Sequence, residues 1–366
     1  MENLRFVLFV LVFLGIYTGM HALVYTSVAN GMGLSGWGRK ALLIFFVLAA
    51  LTFLFDIFLR RKFFIYPIAW TGAMWLGILG ISFSVMAVKK IIDLILPGFL
   101  GQTTVAGLII IFFLTAYSLY NASLPVRVKE FNTPLDGLPA ELDGFSIVHL
   151  ADLHLSRLKE VEWLKDIVKK VNGLNPDLIV ITGDLIDEDA GNLAVFENPL
   201  RELKSKYGVI AVPGNHEYYA GIKTMKDLCR RTGIKLLINE KTTVAGRLDV
   251  IGLDDNEGRS FSDPMDITGP LLANSDKSNP AILLYHRPRS FEEAAEIGID
   301  LQLSAHTHMG QLPPIDFIVW ILFKYRWGLY RYGSSFIHTT SGTGTWGPRM
   351  RLFSHSEIVV IKLAVK

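Results

Sequence analysis

The sequence predicts a membrane-embedded part of four helices, followed by an α/β domain. Charge is distributed unevenly, because residues 1–126 contain only 11 residues of Asp, Glu, Lys and Arg, whereas the remaining 240 residues contain 59. Four long apolar stretches lie in the first part, and from residue 145 short apolar runs alternate with amphipathic helical patterns. We therefore predict a transmembrane domain over residues 1–125 and a second domain over residues 126–366.

The four apolar stretches are of the length that a membrane-spanning helix needs, about 20 residues for a hydrocarbon core of about 30 Å. The predicted helices cover residues 6–29, 41–59, 63–88 and 104–121. The first is too long for the apolar region of a cleaved signal peptide, and no small-residue cleavage site follows it. Trp37, Tyr66 and Trp70 lie near predicted helix ends, as in an aromatic belt. This pattern indicates a multi-pass protein of the cell membrane.

The basic residues at the helix ends favour one orientation. Four crossings place both ends of the helical part on the same side of the membrane. Six basic residues lie on that side and four on the other, namely Arg5, residues 60–62, Arg127 and Lys129 against Arg39, Lys40, Lys89 and Lys90. The positive-inside rule then predicts a cytoplasmic second domain.

Composition also excludes some classes of function. The net charge is only +2 and basic residues are interspersed with acidic ones, so we expect no nucleic-acid partner. The single cysteine, Cys229, excludes an internal disulfide and a zinc site built from cysteines. His21 and Asp56 are the only titratable candidates inside the predicted spans, which disfavours a proton or ion pump.

The second domain contains five predicted strands whose apolar residues are of the kind buried on both faces of a sheet. They lie within the segments "FSIVHLADLHL", "DLIVITGDLID", "GVIAVPGNHEYY", "AILLYHRP" and "DLQLSAHTHMG". Helical spacing of apolar residues follows the first strand in "VEWLKDIVKKVNGL", and further helices are predicted at 193–206, 223–232 and 290–297.

Each of these strands ends in side chains that bind metal ions. They are Asp152, His154, Asp184, Asn215, His286, His306 and His308, with His216 beside them. In α/β sheets, ligand sites gather beyond the carboxyl ends of the strands. Oxygen and nitrogen donors without a thiolate suit Mn, Fe or Zn, and two divalent ions about 3.5–4 Å apart can activate water and clamp a phosphoryl group. Gly183 and Gly214 are expected to allow the sharp turns before Asp184 and Asn215.

The series "DLH", "GDLID", "GNHE", "YH" and "AHTH" is similar to the motif set of the calcineurin-like metallophosphoesterase superfamily, over about residues 145–310. The later "HTHMGQ" and "SGTGTWGPRMRL" resemble a branch of membrane-associated bacterial phosphodiesterases and pyrophosphatases. The resemblance implies a four-layer αββα sandwich with a two-metal site at one edge.

The resemblance also implies a role for each donor. Asp152, His154 and His308 would hold one ion, Asn215, His286 and His306 the other, and Asp184 would bridge the two. A hydroxide between the ions would attack phosphorus. His216 would stabilise the phosphoryl charge or protonate the leaving oxygen, and Asp187 would orient its ring.

Two positions depart from the family pattern. Ala305 replaces the usual glycine, which should matter little unless the backbone there needs a positive φ. Glu188 and Asp189 follow Asp187, where protein phosphatases have Arg-Gly, and this disfavours a protein-phosphatase activity.

Three further features have open interpretations. Arg287 and Arg351 are candidate phosphate-binding residues, although a solvated arginine is the default interpretation of each. The apolar segment 313–333 is either a loop and strand packed on the domain, or an amphipathic patch that touches the membrane and guides a lipid-linked substrate to the metals.

The predicted function is therefore that of a membrane-bound, dimetal-dependent phosphohydrolase. It would cleave a phosphodiester or pyrophosphate bond in a phosphate-containing small molecule or, as we expect, a lipid. Two alternatives remain: a membrane-tethered nucleotide or cyclic-nucleotide phosphodiesterase, and a metal-binding membrane sensor or scaffold without catalysis.

Overall fold

The computed structural model describes residues 2–59, 63–188, 191, 193–255 and 279–366. The basic triplet at 60–62, the side chain of Arg5 and Asp189, which enter the predictions above, lie outside what is described. The chain forms two compact units. The helical unit runs to residue 124 and includes residues 312–317 and 347–353, and the sheet unit contains the rest. The sequence prediction, which divides the chain near residue 125, places residues 312–317 and 347–353 in the second domain instead.

The helical unit contains α1 (Glu2–Gly31), α2 (Gly36–Leu59), α3 (Tyr66–Ile95) and α4 (Leu100–Ser123). Among the described residues, three segments are long and apolar enough to cross a membrane, namely Val10–Gly31, Gly36–Leu59 and Pro97–Ser123. The helix α3 covers most of the predicted span 63–88 but is not among these three, so the count of four crossings stays a prediction. Pro67 lies in the first turn of α3. Proline has no backbone N–H, but the N–H groups of a first turn have no partner within the helix, so no hydrogen bond of the helix is lost.

The helix α3 packs against the two late segments of its unit through small residues. A Cβ atom at Gly77 would stand 2.7 Å from Met350 Sδ, and one at Gly80 would stand 2.6 Å from the carbonyl oxygen of Pro313. The backbone oxygen at Gly80 cannot yield to a larger side chain, whereas at Gly77 the methionine side chain would have to shift. Met74, Ile81, Leu312, Met350 and Leu352 form a buried apolar cluster there.

The sheet unit has twelve described strands in two six-stranded sheets. In chain order they are β1 (Arg127–Leu135), β2 (Ser146–Leu150), β3 (Leu178–Thr182), β4 (Val209–Val212), β5 (Lys235–Leu236), β6 (Glu240–Val244), β7 (Leu248–Gly252), β8 (Ala281–Leu284), β9 (Leu301–Ser304), β10 (Gly328–Tyr332), β11 (Ser335–Thr339) and β12 (Glu357–Val365). The sheet orders are β1-β12-β2-β3-β4-β5 and β10-β11-β9-β8-β7-β6.

The five predicted strands are confirmed as β2, β3, β4, β8 and β9. The first three are parallel neighbours in one sheet, and the last two are parallel neighbours in the other. Their carboxyl ends therefore meet at one edge of each sheet. Antiparallel pairs such as β12 with β2 and β6 with β7 make both sheets mixed.

The helices that accompany these strands are α5 (Val161–Gly173), α6 (Ala194–Arg201), α7 (Asn215–Ala220), α8 (Ile222–Thr232), α9 (Phe291–Glu296) and α10 (Ile315–Leu322). The predicted helices are confirmed, with α6 five residues shorter at its end than the predicted 193–206. The interpretation of segment 313–333 as a loop and a strand is wrong in part, because α10 lies before strand β10.

Side chains from both sheets together form the core of the sheet unit. Ile147 and Val180 of one sheet and Val250 and Leu303 of the other belong to a single buried apolar cluster. On the other side of the first sheet, residues such as Val148 pack with helices α5, α6 and α8. The result is a mixed α/β domain, while the four-layer count stays a prediction.

Candidate metal centre

The loops after the strands hold five of the seven predicted metal ligands in a left-handed backbone conformation. Asp152, His154, Asp184, His306 and His308 have φ angles of 52°, 47°, 49°, 71° and 49°. Such a conformation costs a residue with a side chain about 1–3 kcal/mol, and strain of this kind is concentrated at functional sites. Here it turns the side chains out of the strand direction and toward one another.

The first donor cluster contains Asp152, His154 and His308. Their ligand atoms all lie within 4.8 Å of one another. The Nε2 atoms of His154 and His308 are 3.1 Å apart, and His308 Nε2 is 3.9 Å from Asp152 Oδ2. Donors about 2.1 Å from a common ion stand about 3.0–3.4 Å apart, so these buried side chains fit one divalent ion with little adjustment.

The second donor cluster is centred on His286. Its Nε2 lies 3.2 Å from Asn215 Oδ1 and 3.1 Å from His306 Nδ1. The other ring nitrogen, Nδ1, donates a hydrogen bond to the carbonyl oxygen of Thr182 at 2.8 Å. This bond leaves Nε2 as the atom that faces the other donors, as is usual for a histidine ligand.

Asp184 contacts both clusters. Its Oδ2 lies 3.2 Å from His286 Nε2 and 3.8 Å from His154 Nε2, while Oδ1 accepts the backbone N–H of His216 at 3.0 Å. Burial favours the neutral acid, but the nearby histidines hold the pKa of Asp184 well below its usual value. An anionic carboxylate between two donor sets has the geometry of a bridging ligand.

Gly183 precedes Asp184 and Gly214 precedes Asn215, and the two glycines are needed for different reasons. Gly183 has a φ of +83°, which favours glycine and agrees with the expected sharp turn. Gly214 has an ordinary φ of −108°, so its backbone conformation does not require glycine. It must be glycine for lack of space, since a Cβ atom would lie 2.3 Å from Asp184 Oδ1.

His216 and Asp187 form a hydrogen-bonded pair beside His154 of the first donor cluster. His216 Nδ1 lies 2.8 Å from Asp187 Oδ1, which fixes the imidazole ring and directs Nε2 away from Asp187. Burial opposes a charge on His216, but Asp184 and the hydrogen bond to Asp187 raise its pKa to about 9. The pair with Asp187 therefore stabilises a protonated His216.

Glu217 is a residue of the site that sequence reasoning missed. Its fully buried carboxylate accepts backbone N–H groups from Gly214 at 2.6 Å, Asp184 at 2.9 Å and Ile186 at 3.0 Å. Burial and the charge of Asp184 raise the pKa of Glu217 to about 7. It joins the loops after β3 and β4, and its only signal in the sequence was the Glu of "GNHE".

A second missed element is the loop over residues 340–346. A Cβ atom at Gly342, where φ is +85°, would lie 2.8 Å from Asp152 Oδ2. The backbone N–H groups of Thr343 and Gly344 donate to the carbonyl oxygens of Ala151 and Asp152 at 2.8 Å and 3.0 Å. The "SGTGTWG" sequence thus supports the loop that carries Asp152.

The remaining candidate residues are placed as follows. Ala305 is absent from the positive-φ residues, so the expectation that this alanine replaces glycine at little cost is supported. Arg287 forms a buried ion pair with Asp255 at 2.9 Å. Arg351 is fully buried in the helical unit, where its backbone N–H donates to the Ser118 carbonyl oxygen at 3.0 Å. Neither is a solvated arginine, and their phosphate-binding roles stay predictions.

Comparison with known proteins agrees with this geometry. The sequence model described as calcineurin-like phosphoesterase matches residues 145–310, which include all seven candidate ligands, His216 and Asp187. An uncharacterized metallophosphoesterase of Aquifex aeolicus is 32% identical, over 66% of this chain and 93% of that protein. The chain belongs to the calcineurin-like phosphoesterase family.

Two further relatives of this calcineurin-like phosphoesterase are longer proteins, and one of them has a membrane-protein name. A zebrafish protein named transmembrane protein with metallophosphoesterase domain is 36% identical, over 72% of this chain and 63% of that protein. A Helicobacter pylori uncharacterized metallophosphoesterase is 36% identical, over 66% of this chain and 64% of that protein. The chain thus spans somewhat less than two thirds of the length of these two relatives. In this chain, three described segments are long and apolar enough to cross a membrane.

Proposed function

We propose that this membrane phosphoesterase hydrolyses phosphoric esters or anhydrides with two divalent metal ions, of Mn, Fe or Zn. The observation that carries the proposal is the position of Asp184, whose carboxylate is within 4 Å of a histidine from each donor cluster. Asp152, His154 and His308 would hold one ion, and Asn215, His286 and His306 the other. Such a pair supplies an activated water and neutralises the charge of a phosphoryl group.

The chain's own residues account for the proton that the leaving group needs. Asp187 holds Nδ1 of His216, so the proton on Nε2 points away from the pair and is available to an oxygen that leaves phosphorus. The imidazolium charge also favours a substrate with a negative phosphoryl group. The intact pair supports an enzyme over a binding protein, because a scaffold has no need for an oriented acid.

For the substrate, we infer a phosphodiester or a pyrophosphate, linked to a lipid. Three apolar helices support this inference, because an enzyme held in the bilayer meets lipid head groups at high local concentration. Glu188 lies next to His216 and Asp187, and its charge disfavours a doubly charged phosphomonoester. A membrane-tethered nucleotide phosphodiesterase is the second candidate, and the substrate comparison below separates the two.

We also propose that α3 crosses the membrane as a fourth span, and that the sheet unit is a four-layer sandwich in the cytoplasm. Attaching a reporter protein after Lys366 that is active only in the cytoplasm would test the orientation. A reporter that is active only outside the cytoplasm would overturn it.

The function is tested with the full chain purified in detergent and loaded with Mn²⁺, Fe²⁺ or Zn²⁺. Hydrolysis of bis-p-nitrophenyl phosphate, p-nitrophenyl phosphate, a cyclic nucleotide and a lipid-linked pyrophosphate is compared, with Asn215→Ala as the control. We expect diester or pyrophosphate turnover that the control loses. Two bound ions without turnover of any substrate would favour the sensor, and turnover of the nucleotide alone would favour the second candidate.

A further inference from the structure

The helix α10 exposes an almost continuous apolar surface. Its outward side chains are 41–61% exposed, and they are Ile315, Phe317, Ile318, Trp320, Ile321 and Leu322. Asp316 is its one charged residue, while Val319 faces inward and is buried. Soluble surfaces rarely present so many large apolar side chains together, and such a patch marks an interaction site.

The end of this helix lies against the candidate metal centre. Phe323, the residue after α10, packs its ring on His306 with the ring centres 5.7 Å apart. Thr307, between His306 and His308, donates its hydroxyl to the carbonyl oxygen of Arg326 at 2.6 Å. Whatever covers the apolar surface of α10 is therefore next to the loop that carries two of the proposed ligands.

The course of the chain before α10 indicates what covers it. Residues 312–317 belong to the helical unit, and Leu312 packs there with Met74 and Ile81 of α3. The same cluster includes Leu114 of α4, which is long and apolar enough to cross a membrane, so the apolar surface continues directly from a part of the chain that packs on such a helix. Helices that lie in the membrane interface have this composition, with tryptophan, phenylalanine and aliphatic residues on the buried face.

From these observations we infer that α10 lies in the membrane surface and is covered by lipid. The contact holds the site at the level of the head groups, where the phosphorus of a phospholipid or a lipid-linked pyrophosphate is found. The substrate part of this inference rests on the proposed function, whereas the lipid contact of α10 does not depend on it.

The lipid contact is tested with a fluorophore that reports its surroundings. The single native cysteine, Cys229, is only 2% exposed, so a cysteine introduced by Ile321→Cys is labelled selectively with an NBD group. The matched control is Val195→Cys on α6, where the native side chain is 45% exposed. Both proteins are reconstituted in phosphatidylcholine and phosphatidylglycerol vesicles that contain lipids with spin labels near the head group.

We expect the label at position 321 to be quenched by the spin-labelled lipid at least about threefold more than the label at position 195, and to emit at shorter wavelength. Equal quenching at the two positions would overturn the inference. So would a blue-shifted label at position 321 without quenching, because that result would place a protein surface on α10.

A second measurement connects the contact to turnover. Ile321→Glu should lower the ratio of lipid-substrate to bis-p-nitrophenyl phosphate turnover in vesicles by about tenfold, while Val195→Glu leaves the ratio unchanged. An unchanged ratio in Ile321→Glu would contradict the role in substrate access. Failure of the unaltered protein to hydrolyse either substrate would refute the proposed function and leave the quenching result valid.

Discussion

The buried carboxylate of Glu217 accepts the backbone N–H of Asp184 at 2.9 Å, although Glu217 is not itself a proposed metal ligand. Two more N–H groups, from Gly214 and Ile186, point to the same carboxylate. Glu217 therefore holds the backbone on both sides of the proposed bridging residue.

Glu217→Gln should weaken metal binding by about 10–100-fold, as is typical when a group that orients a ligand is altered. The glutamine amide nitrogen cannot accept a backbone N–H, so at least one of the three donors loses its partner. Competition with a metal-sensitive dye measures the affinity. The control is Glu162→Gln on α5, whose side chain is 78% exposed, and equal affinities in the two variants would contradict the assigned role.

Gly214→Ala should displace the Asp184 carboxylate, because its Cβ atom would lie 2.3 Å from Oδ1. We expect loss of at least one ion per chain, measured by elemental analysis of the purified protein. Gly173→Ala at the end of α5 is the matched control, since nothing lies within 4 Å of a Cβ atom there. Full metal content in Gly214→Ala would show that the site tolerates a shifted aspartate.

His216→Gln should lower kcat by about 10²–10⁴-fold while metal content stays unchanged, because the ring is proposed to give a proton rather than to bind an ion. The loss should shrink for a substrate with a good leaving group, such as a p-nitrophenyl ester, and grow for an alkyl ester. Asp187→Asn should show the same dependence on the leaving group with a smaller loss. A loss that is equal for both esters would argue against proton donation.

Acid should destabilise the sheet unit through two buried histidines. Burial lowers the pKa of His149 and His338 to about 3. In the unfolded chain a histidine has a pKa of about 6.5, so between these values the unfolded state binds more protons and stability falls as pH falls. Each histidine should contribute about 1.4 kcal/mol per pH unit over that window.

The pH dependence is measured by urea unfolding of the protein in detergent between pH 7 and pH 5. Nδ1 of His338 has no hydrogen-bond partner within the described part of the chain, so His338→Phe removes its proton uptake without freeing another polar group. The variant should show a stability-versus-pH slope that is lower by about 1 kcal/mol per pH unit, averaged over this range, because the unfolded histidine takes up most of its proton between pH 7 and pH 5. An unaltered slope would show that His338 is already protonated in the folded state.

In the helical unit, Gly80→Ala should lower stability by about 1–3 kcal/mol, because the new methyl group would overlap the Pro313 carbonyl oxygen. Gly19→Ala in α1 is the control, where nothing lies within 4 Å and alanine is the better helix former. Thermal unfolding in detergent measures both. A Gly80→Ala protein as stable as the control would mean that residues 312–317 are held loosely.

Much of the fold could be predicted because the relevant signals are local. A run such as "DLIVIT" indicates a buried strand by itself, and Asp184 follows it at a fixed distance along the chain. The same reasoning predicted β2, β4, β8 and β9 and the metal-binding side chains that follow them. It also predicted α1, α2 and α4 from the length of their apolar stretches. It found α10 only as an apolar run, because eight residues are too few for periodicity to separate a helix from a strand.

The sequence by itself determined where the apolar helices and strands lie and which residue types follow each strand, since side-chain chemistry and spacing are properties of neighbouring residues. Only the tertiary structure decided that Glu217 holds the Asp184 loop, that Gly342 packs on Asp152, and that residues 312–317 and 347–353 join the helical unit. The physical reason is that each of these contacts joins residues distant in the chain. Such contacts form only when the elements pack together, and the local spacing of apolar residues does not predict them.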